Sequence, residues 1–311
     1  MTSIPRRPVS YPGATVSGSM AYRLLALDLD GTLLRSDQRV DDRDIAAIAE
    51  VQAAGVIVTI VTGRLHSGST EAARACAIDG AIACCDGSHL VEVATGRTLV
   101  HHGLTGDIAA VVRTAFASHG LPGFVFDATG IHHDDAGAPY APYIRTWSPN
   151  LRVVEDGVAW ETEPLGAIAV GDEAAVVAAQ AALRDRAELF SVSFAIGQLS
   201  SYAVSPRADQ PGAPAAAPPR GYPGKHALLV RAAGATKGTA LVELCRLAGC
   251  SPAEAVAIGD WVNDVPMFEV AGRSFAMGSA PDHVRAKATD ALSSTALAGG
   301  GIAEAVRRAF G

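Results

Sequence analysis

Short apolar runs, each cut off by a glycine or a polar pair, recur in the first and last thirds of the chain. They cover residues 23–29, Val56-Ile57-Val58-Thr59-Ile60-Val61, Ala81–Cys84, residues 255–258 and Ser274-Phe275-Ala276-Met277. Runs of this length with little polar alternation read as strands buried on both faces of a parallel sheet. Helical spacing fills the gaps between them. Ile45, Ile48 and Val51 form one stripe of a helix predicted over 41–54, which Gly55 stops. Further helices are predicted through 71–76, 236–247, 267–271 and 302–310. Strand and helix alternate, which predicts an α/β architecture: a Rossmann-like, doubly wound parallel sheet.

The pattern changes between residues 88 and 230. Helices are predicted over 107–118 and 173–184, and strands over 124–126, 131–132, 151–154, 168–170 and 190–195. Helices mixed with hairpin-like strands suggest an α+β cap domain, 88–230, inserted into a core made of 21–87 and 231–311. Within the insertion, residues 205–224 carry six prolines (Pro206, Pro211, Pro214, Pro218, Pro219 and Pro223) and read as a long hairpin loop. A passive insertion is the simpler reading of that loop, and a cover over a site is the other. Residues 1–20, rich in Pro, Ser and Gly, read as a disordered tail. Arg6-Arg7 there precede no apolar segment of the secretory kind, and Met20 is a second candidate start.

Composition narrows the function classes. With 311 residues, 49% hydrophobic and 18% charged, the chain can bury a sizeable core. A net charge of −7 argues against a nucleic-acid partner. No apolar run reaches membrane-spanning length. Five cysteines (Cys76, Cys84, Cys85, Cys245 and Cys250), odd in number and without CxxC spacing, argue against a disulfide framework or a zinc site. A reducing, cytoplasmic setting is the expectation. Oligomeric state leaves no mark in the sequence.

The chemistry gathers where the strands end. The first run closes in Asp28-Leu29-Asp30-Gly31, the second in Thr62-Gly63-Arg64, the third in Asp86-Gly87, and a late one in Gly259-Asp260-Trp261-Val262-Asn263-Asp264. Lys237 opens a helix. Open α/β sheets bind ligands at the carboxyl ends of their strands, so these groups are expected at one edge. Singly each has a plain alternative: a capped strand end for Asp28 and Asp30, a turn for Thr62-Gly63, a solvated lysine, a helix cap for Asp260 and Asp264. An EF-hand loop does not fit Asp28-Leu29-Asp30-Gly31, because Thr32 falls on its third acidic position. Jointly, the four carboxylates of Asp28, Asp30, Asp260 and Asp264, the Lys237 ammonium and the Thr62 hydroxyl suit phosphoryl transfer with Mg²⁺, which takes oxygen ligands. An aspartate can itself attack phosphorus. His132, His133, Asp134 and Asp135, after Gly130, read as a solvated hairpin tip, with a substrate-facing role as the alternative. His66, just past the Thr62-Gly63-Arg64 segment, is open in the same way.

The chain resembles the haloacid dehalogenase (HAD) superfamily, and within it the Cof-type branch. Asp28-Leu29-Asp30-Gly31-Thr32-Leu33-Leu34 is similar to its first motif, Thr62-Gly63-Arg64 to the second, Thr236-Lys237-Gly238 to the third, and Gly259-Asp260 with Asn263-Asp264 to the fourth. Ala276-Met277-Gly278-Ser279-Ala280 and Gly300-Gly301-Ile302-Ala303 resemble Cof-type trailing segments. The resemblance implies Asp28 as nucleophile and Mg²⁺ ligand, and Asp30 as general acid then base with its backbone carbonyl on the metal. It implies Thr62 and Lys237 as holders of the phosphoryl group, Asp260 and Asp264 at the metal, and Asn263, Gly63, Arg64 and Asp86 near substrate. About thirty residues separate Asp30 from Thr62, so the insertion falls later, between Thr62 and Lys237. In this family that implies a type-two α/β cap that sets substrate choice. Asp86 departs from the Asn that the family usually has there. The implied function is a Mg²⁺-dependent phosphatase of a small phosphorylated metabolite, such as a sugar phosphate, working through an aspartyl-phosphate. A phosphomutase or phosphotransferase, or a non-catalytic phospho-acceptor, are the rivals.

Overall fold

The computed structural model describes residues 21–145, 147–196 and 222–311. In chain order come β1 (Leu24–Leu27), α1 (Asp42–Ala53), β2 (Ile57–Ile60), α2 (His66–Ala75), β3 (Ala81–Cys84), β4 (His89–Glu92) and β5 (Thr98–His101). Next are α3 (Asp107–Ser118), β6 (Gly123–Phe126), β7 (Ile131–His133), α4 (Ala141–Ile144), β8 (Leu151–Val153), α5 (Val158–Glu161), β9 (Gly166–Asp172), α6 (Glu173–Leu183), β10 (Leu189–Ala195) and β11 (Lys225–Ala232). The chain closes with α7 (Lys237–Ala248), β12 (Ala255–Gly259), α8 (Val265–Val270), β13 (Arg273–Ala276), α9 (Asp282–Arg285), β14 (Asp290–Ala291) and α10 (Gly301–Phe310).

The first sheet has strand order β14-β13-β12-β1-β2, and every pair in it is parallel. β1 lies at its centre, with Leu25 in register with Val256 on one side and Val58 on the other. Its four residues are fully buried, but they serve two cores. Leu25 and Leu27 pack into the layer that contains α1 and α10, while Leu24 and Ala26 pack into the layer that contains α7 and α8. That split follows from the period of two in a strand. Each such leucine contributes about 1.5–3 kcal/mol of burial. α1 begins where Asp41 accepts the backbone N–H of Arg43, and turns Ala47, Ile48 and Val51 inward. Asp44, on the same helix, accepts from the N–H groups of Gly300 and Ala303 at 3.0 and 2.8 Å, tying α1 to the start of α10.

β3 joins this sheet through a parallel bridge between Val61 and Ala83, then pairs antiparallel with β4, and β4 with β5. The stretch 88–101 was expected to open the insertion; pairing instead places it beside a core strand, with Leu90, Leu99 and Val100 in the α7 layer.

A second sheet, β10-β11-β9-β6-β7-β8, is antiparallel except where β7 meets β8. Ala167 and Ala169 of β9 face α3 and α6; Ile168 and Val170 face the other way. That other face shares its apolar cluster with Leu65 and Cys85, which lie just past β2 and β3. The second sheet thus rests against the carboxyl edge of the first. β11 had no counterpart in the sequence reading, and it runs to Ala232, past the boundary expected after Val230. The proline-rich stretch lies outside the described residues except for 222–224, where Tyr222 packs against Tyr140 and Tyr143. The tail expected at 1–20 also lies outside them.

Candidate active site

The carboxyl edge of the parallel sheet collects the groups. Asp28 continues β1, its N–H donating to Ile258 O at 3.0 Å, and the residue is buried at 4% exposure. Lys237 is the first residue of α7, whose start Thr236 caps by accepting the N–H of Thr239. The Lys237 ammonium is also buried, and Nζ donates to Asp28 Oδ1 and Asp264 Oδ1, both at 2.5 Å. Asp264 Oδ2 accepts the N–H groups of Asp260 and Trp261 at 2.8 and 2.9 Å, so the turn after β12 is wound around this carboxylate. Thr32 Oγ1 donates to Asp260 Oδ1 at 3.3 Å. Two glycines make this density possible. A Cβ on Gly31, whose φ is +83°, would overlap the Asp260 carboxylate, and one on Gly259 would overlap Asp264.

Carboxylate oxygens of Asp28, Asp260 and Asp264 lie within 4.8 Å of one another, all three residues buried. Burial pushes the Asp28 pKa well up; the Lys237 charge opposes this, and the Asp264 and Asp260 charges add to it. Burial alone would lower the Lys237 pKa, but the charges of Asp264 and Asp28 raise it above the usual lysine value. Three buried carboxylates around one ammonium leave a negative excess that a divalent cation would balance. The donors are hard oxygens, which suit Mg²⁺. These residues therefore fit the metal that the family resemblance implies. Asp30 is not part of the cluster through its side chain: its carboxylate is held by Arg64, with Nε 2.7 Å from Oδ2 and Nη2 on Oδ1. Gln38 Oε1 accepts from the same guanidinium at 2.5 Å.

Thr62 is buried, and its Oγ1 accepts the N–H of Arg64 at 3.1 Å. Gly63 stands beside Asp86, whose Oδ1 accepts from Asn263 Nδ2 at 2.9 Å. Asp86 Oδ2 pairs with Arg231 Nη2 at 3.3 Å. Asp28, Lys237, Asp260 and Asp264 thus meet in one cluster, while Asp30 with Arg64, and Asp86 with Asn263, form two flanking pairs. Sequence reasoning missed Thr32, Gln38 and Arg231. For Arg231 a signal existed: a charge between the apolar run Ala227-Leu228-Leu229-Val230 and Ala232-Ala233.

The hairpin-tip reading of His132 and His133 is corrected. Both are buried; His132 Nε2 lies 2.9 Å from Asp127 Oδ2, and the His133 ring packs on Phe124 at 5.0 Å between centroids. Pairing of β7 with both β6 and β8 encloses them, a long-range effect that a local turn signal does not carry. His66 is the first residue of α2 and half-buried; its Nε2 is without a hydrogen-bond partner. Burial lowers its pKa.

A parallel sheet with this acidic cluster and lysine at its carboxyl edge, and a mainly antiparallel unit against that edge, defines a Rossmann-like α/β protein with a charged site at the strand ends. Residues 25–188 and 223–306 match the model of the haloacid dehalogenase-like hydrolase family, and the chain belongs to that family. It is similar to a pyridoxal phosphate phosphatase, YbhA, from Escherichia coli (strain K12), at 27% identity over 278 residues, 86% of this chain and 92% of that one. Among solved structures it is similar to a haloacid dehalogenase-like hydrolase from Bacteroides thetaiotaomicron, with TM-score 0.74 and 22% identity, covering 93% of this chain and 100% of that one. A HAD subclass IIB sugar phosphatase, BT4131, has the same fold at TM-score 0.62 and 19% identity, covering 87% of this chain and 93% of that one. The enzyme class is phosphoric monoester hydrolase. Among the described residues, no helix is long and apolar enough to cross a membrane.

Proposed function

We propose that this protein is a Mg²⁺-dependent phosphatase of a small phosphorylated metabolite, working through a phosphoryl group carried on Asp28. The observation that carries the reading is the Lys237 ammonium set 2.5 Å from both Asp28 and Asp264, with Asp260 completing a buried acidic group. Asp28 attacks phosphorus; an O–P bond forms as the ester P–O bond breaks, and Asp30 gives its proton to the departing oxygen. Water then attacks the aspartyl-phosphate, losing its proton to Asp30, and inorganic phosphate leaves with Asp28 restored. Lys237 orients Asp28 and offsets charge on the phosphoryl oxygens, and Thr62 offers a hydroxyl to them. Asp28, Asp260, Asp264 and the Asp30 carbonyl are the groups that would hold Mg²⁺, which supplies charge neutralisation when bound. Asp30 has to leave Arg64 to reach a substrate, so the Asp30–Arg64 pair is a resting arrangement in this reading.

The inserted unit acts as a cap in the same reading. It touches the core where Ser67 Oγ and Ser148 Oγ stand 3.3 Å apart and where Arg231 donates to Cys85 O. Its face toward the sheet edge, with Tyr143, Trp147 and Phe126, is the surface that would choose the leaving group. Five free cysteines fit a reducing, cytoplasmic setting.

Phosphate release tests the proposal, from a panel of sugar phosphates, nucleotides, pyridoxal 5′-phosphate and an aryl phosphate, with Mg²⁺ or with chelator. Turnover is expected with Mg²⁺ only, and Asp28→Asn is expected to lower it by roughly 10⁴-fold or more. No turnover by the wild type, even on the aryl phosphate, overturns the phosphatase reading. A long-lived phospho-Asp28 would then favour an acceptor protein, and transfer to an added sugar a phosphotransferase.

A further inference from the structure

Asp86 places a negative charge where a phosphate ester is to be held. It follows Cys85, and both are non-glycine residues in the left-handed region, with φ of 51° and 50°. The N–H of Asp86 donates to the Thr62 carbonyl at 2.9 Å. Its Oδ1 lies 3.3 Å from where a Cβ on Gly63 would stand. The carboxylate therefore faces the Thr62-Gly63 loop, and its charge is felt at Lys237. Left alone, it would repel a phosphoryl dianion bound there. Asn263 occupies Oδ1 but carries no charge.

The offsetting charge comes from the other sheet. Arg231 is the last residue but one of β11, yet it is only 8% exposed and reaches across to the turn after β3. Its Nη2 lies 3.3 Å from Asp86 Oδ2, and Nη1 donates to the carbonyls of Cys85 at 3.2 Å and Ala235 at 3.4 Å. The guanidinium also stands 5.2 Å from the Phe190 ring centroid, and Nε is buried without a hydrogen-bond partner. A buried guanidinium with one donor unsatisfied costs stability that an aliphatic residue in this strand would not.

We infer that Arg231 is a positioning residue for the phosphoryl subsite: it neutralises Asp86 and holds that carboxylate against Asn263, so that an acid can border the Thr62-Gly63 loop without repelling substrate. The inference rests on the phosphatase reading. It also makes charge balance at the subsite depend on a residue of the inserted sheet.

The test compares wild type, Arg231→Met, Asp86→Asn and the double variant, by KM and kcat on an aryl phosphate, by binding of orthophosphate in calorimetry with Mg²⁺ present, and by thermal melting. Arg231→Met is expected to raise KM and weaken orthophosphate binding about tenfold, with kcat nearly unchanged, because the lost interaction is uniform binding. Asp86→Asn is expected to lower KM, since the Arg231 charge is then unopposed. The double variant is expected within about twofold of wild type, the two charges having been removed together. A KM that stays or rises in Asp86→Asn overturns the inference, as does a double variant as impaired as Arg231→Met. If Arg231→Met does not fold, the Asp86→Asn result decides alone. Absence of turnover in the wild type strikes the phosphatase reading instead, and the orthophosphate measurements still read the charge balance.

Discussion

At the residue scale, the site is governed by the cost of crowding like charges out of water. Lys237 meets two carboxylates at 2.5 Å, and Asp264 uses its second oxygen to accept two backbone N–H groups. A buried carboxylate so satisfied is rigid, which suits a group meant to hold others in place. Gly31 is the position where this rigidity is most exposed to substitution. Gly31→Ala would force a Cβ into the Asp260 carboxylate and strain a backbone at φ +83°. The expected outcome is a loss of about 1–3 kcal/mol of stability and a fall in kcat/KM of roughly 10²-fold from misplacement of Asp260. Denaturant melts beside phosphate-release assays check both. Wild-type kinetics in this variant would mean that Asp260 is not positioned through the turn after β1. Individually the site residues were legible as candidates because carboxylates stand at strand ends in the sequence. What was not legible is that the Asp30 side chain turns to Arg64 and not to the acidic cluster, since two side chains 34 residues apart leave no local trace of their pairing.

At the element scale, most strands and helices stand where apolar spacing puts them. α3 runs over Asp107–Ser118 and β3 over Ala81–Cys84, as the pattern predicts. The surprises are β4, β5 and β11. β4 buries His89 and Glu92 beside Leu90 and Val91, so its polar letters mask a core strand. His89 makes the hairpin sensitive to acid. Burial, with the charges of His66 and His101, lowers its pKa to about 4 from 6.5, and Nε2 is engaged with Thr98 Oγ1 at 2.9 Å. The folded protein keeps this ring neutral down to about pH 4, whereas the unfolded chain takes up the proton near pH 6.5. The stability it contributes is therefore complete above pH 6.5 and is lost as pH falls through 6.5 toward 4. Urea melts across that window are expected to show a smaller slope for His89→Gln than for wild type. Equal slopes would place the acid sensitivity elsewhere.

At the scale of the whole molecule, two sheets of different kind meet at one edge, and the metal reading has a consequence for global stability. A cation that binds the folded state and not the unfolded one adds about 2.7 kcal/mol when present at about 100 times its Kd. Mg²⁺ is expected to raise the wild-type melting temperature, and chelator to reverse the rise. Asp260→Asn removes one of three carboxylates and is expected to shrink the effect. A melting temperature indifferent to Mg²⁺ at millimolar concentration would count against a built metal site. Seating of the second sheet on Leu65 and Cys85 also implies that the two units report on each other: loosening the cap face changes the site edge beneath it.

The order of most core elements, the parallel core and the set of acids at its strand ends were determined by the sequence, because hydrophobic period and strand termination are local properties. Only the tertiary structure decided which acids share a cluster, that the stretch 88–101 belongs beside β3, that His132 and His133 are buried, and that Arg231 answers Asp86 from 145 positions further along the chain. Each of these depends on which surfaces meet after folding. Contact between distant segments is set by packing and charge in three dimensions, and a one-dimensional pattern holds neither.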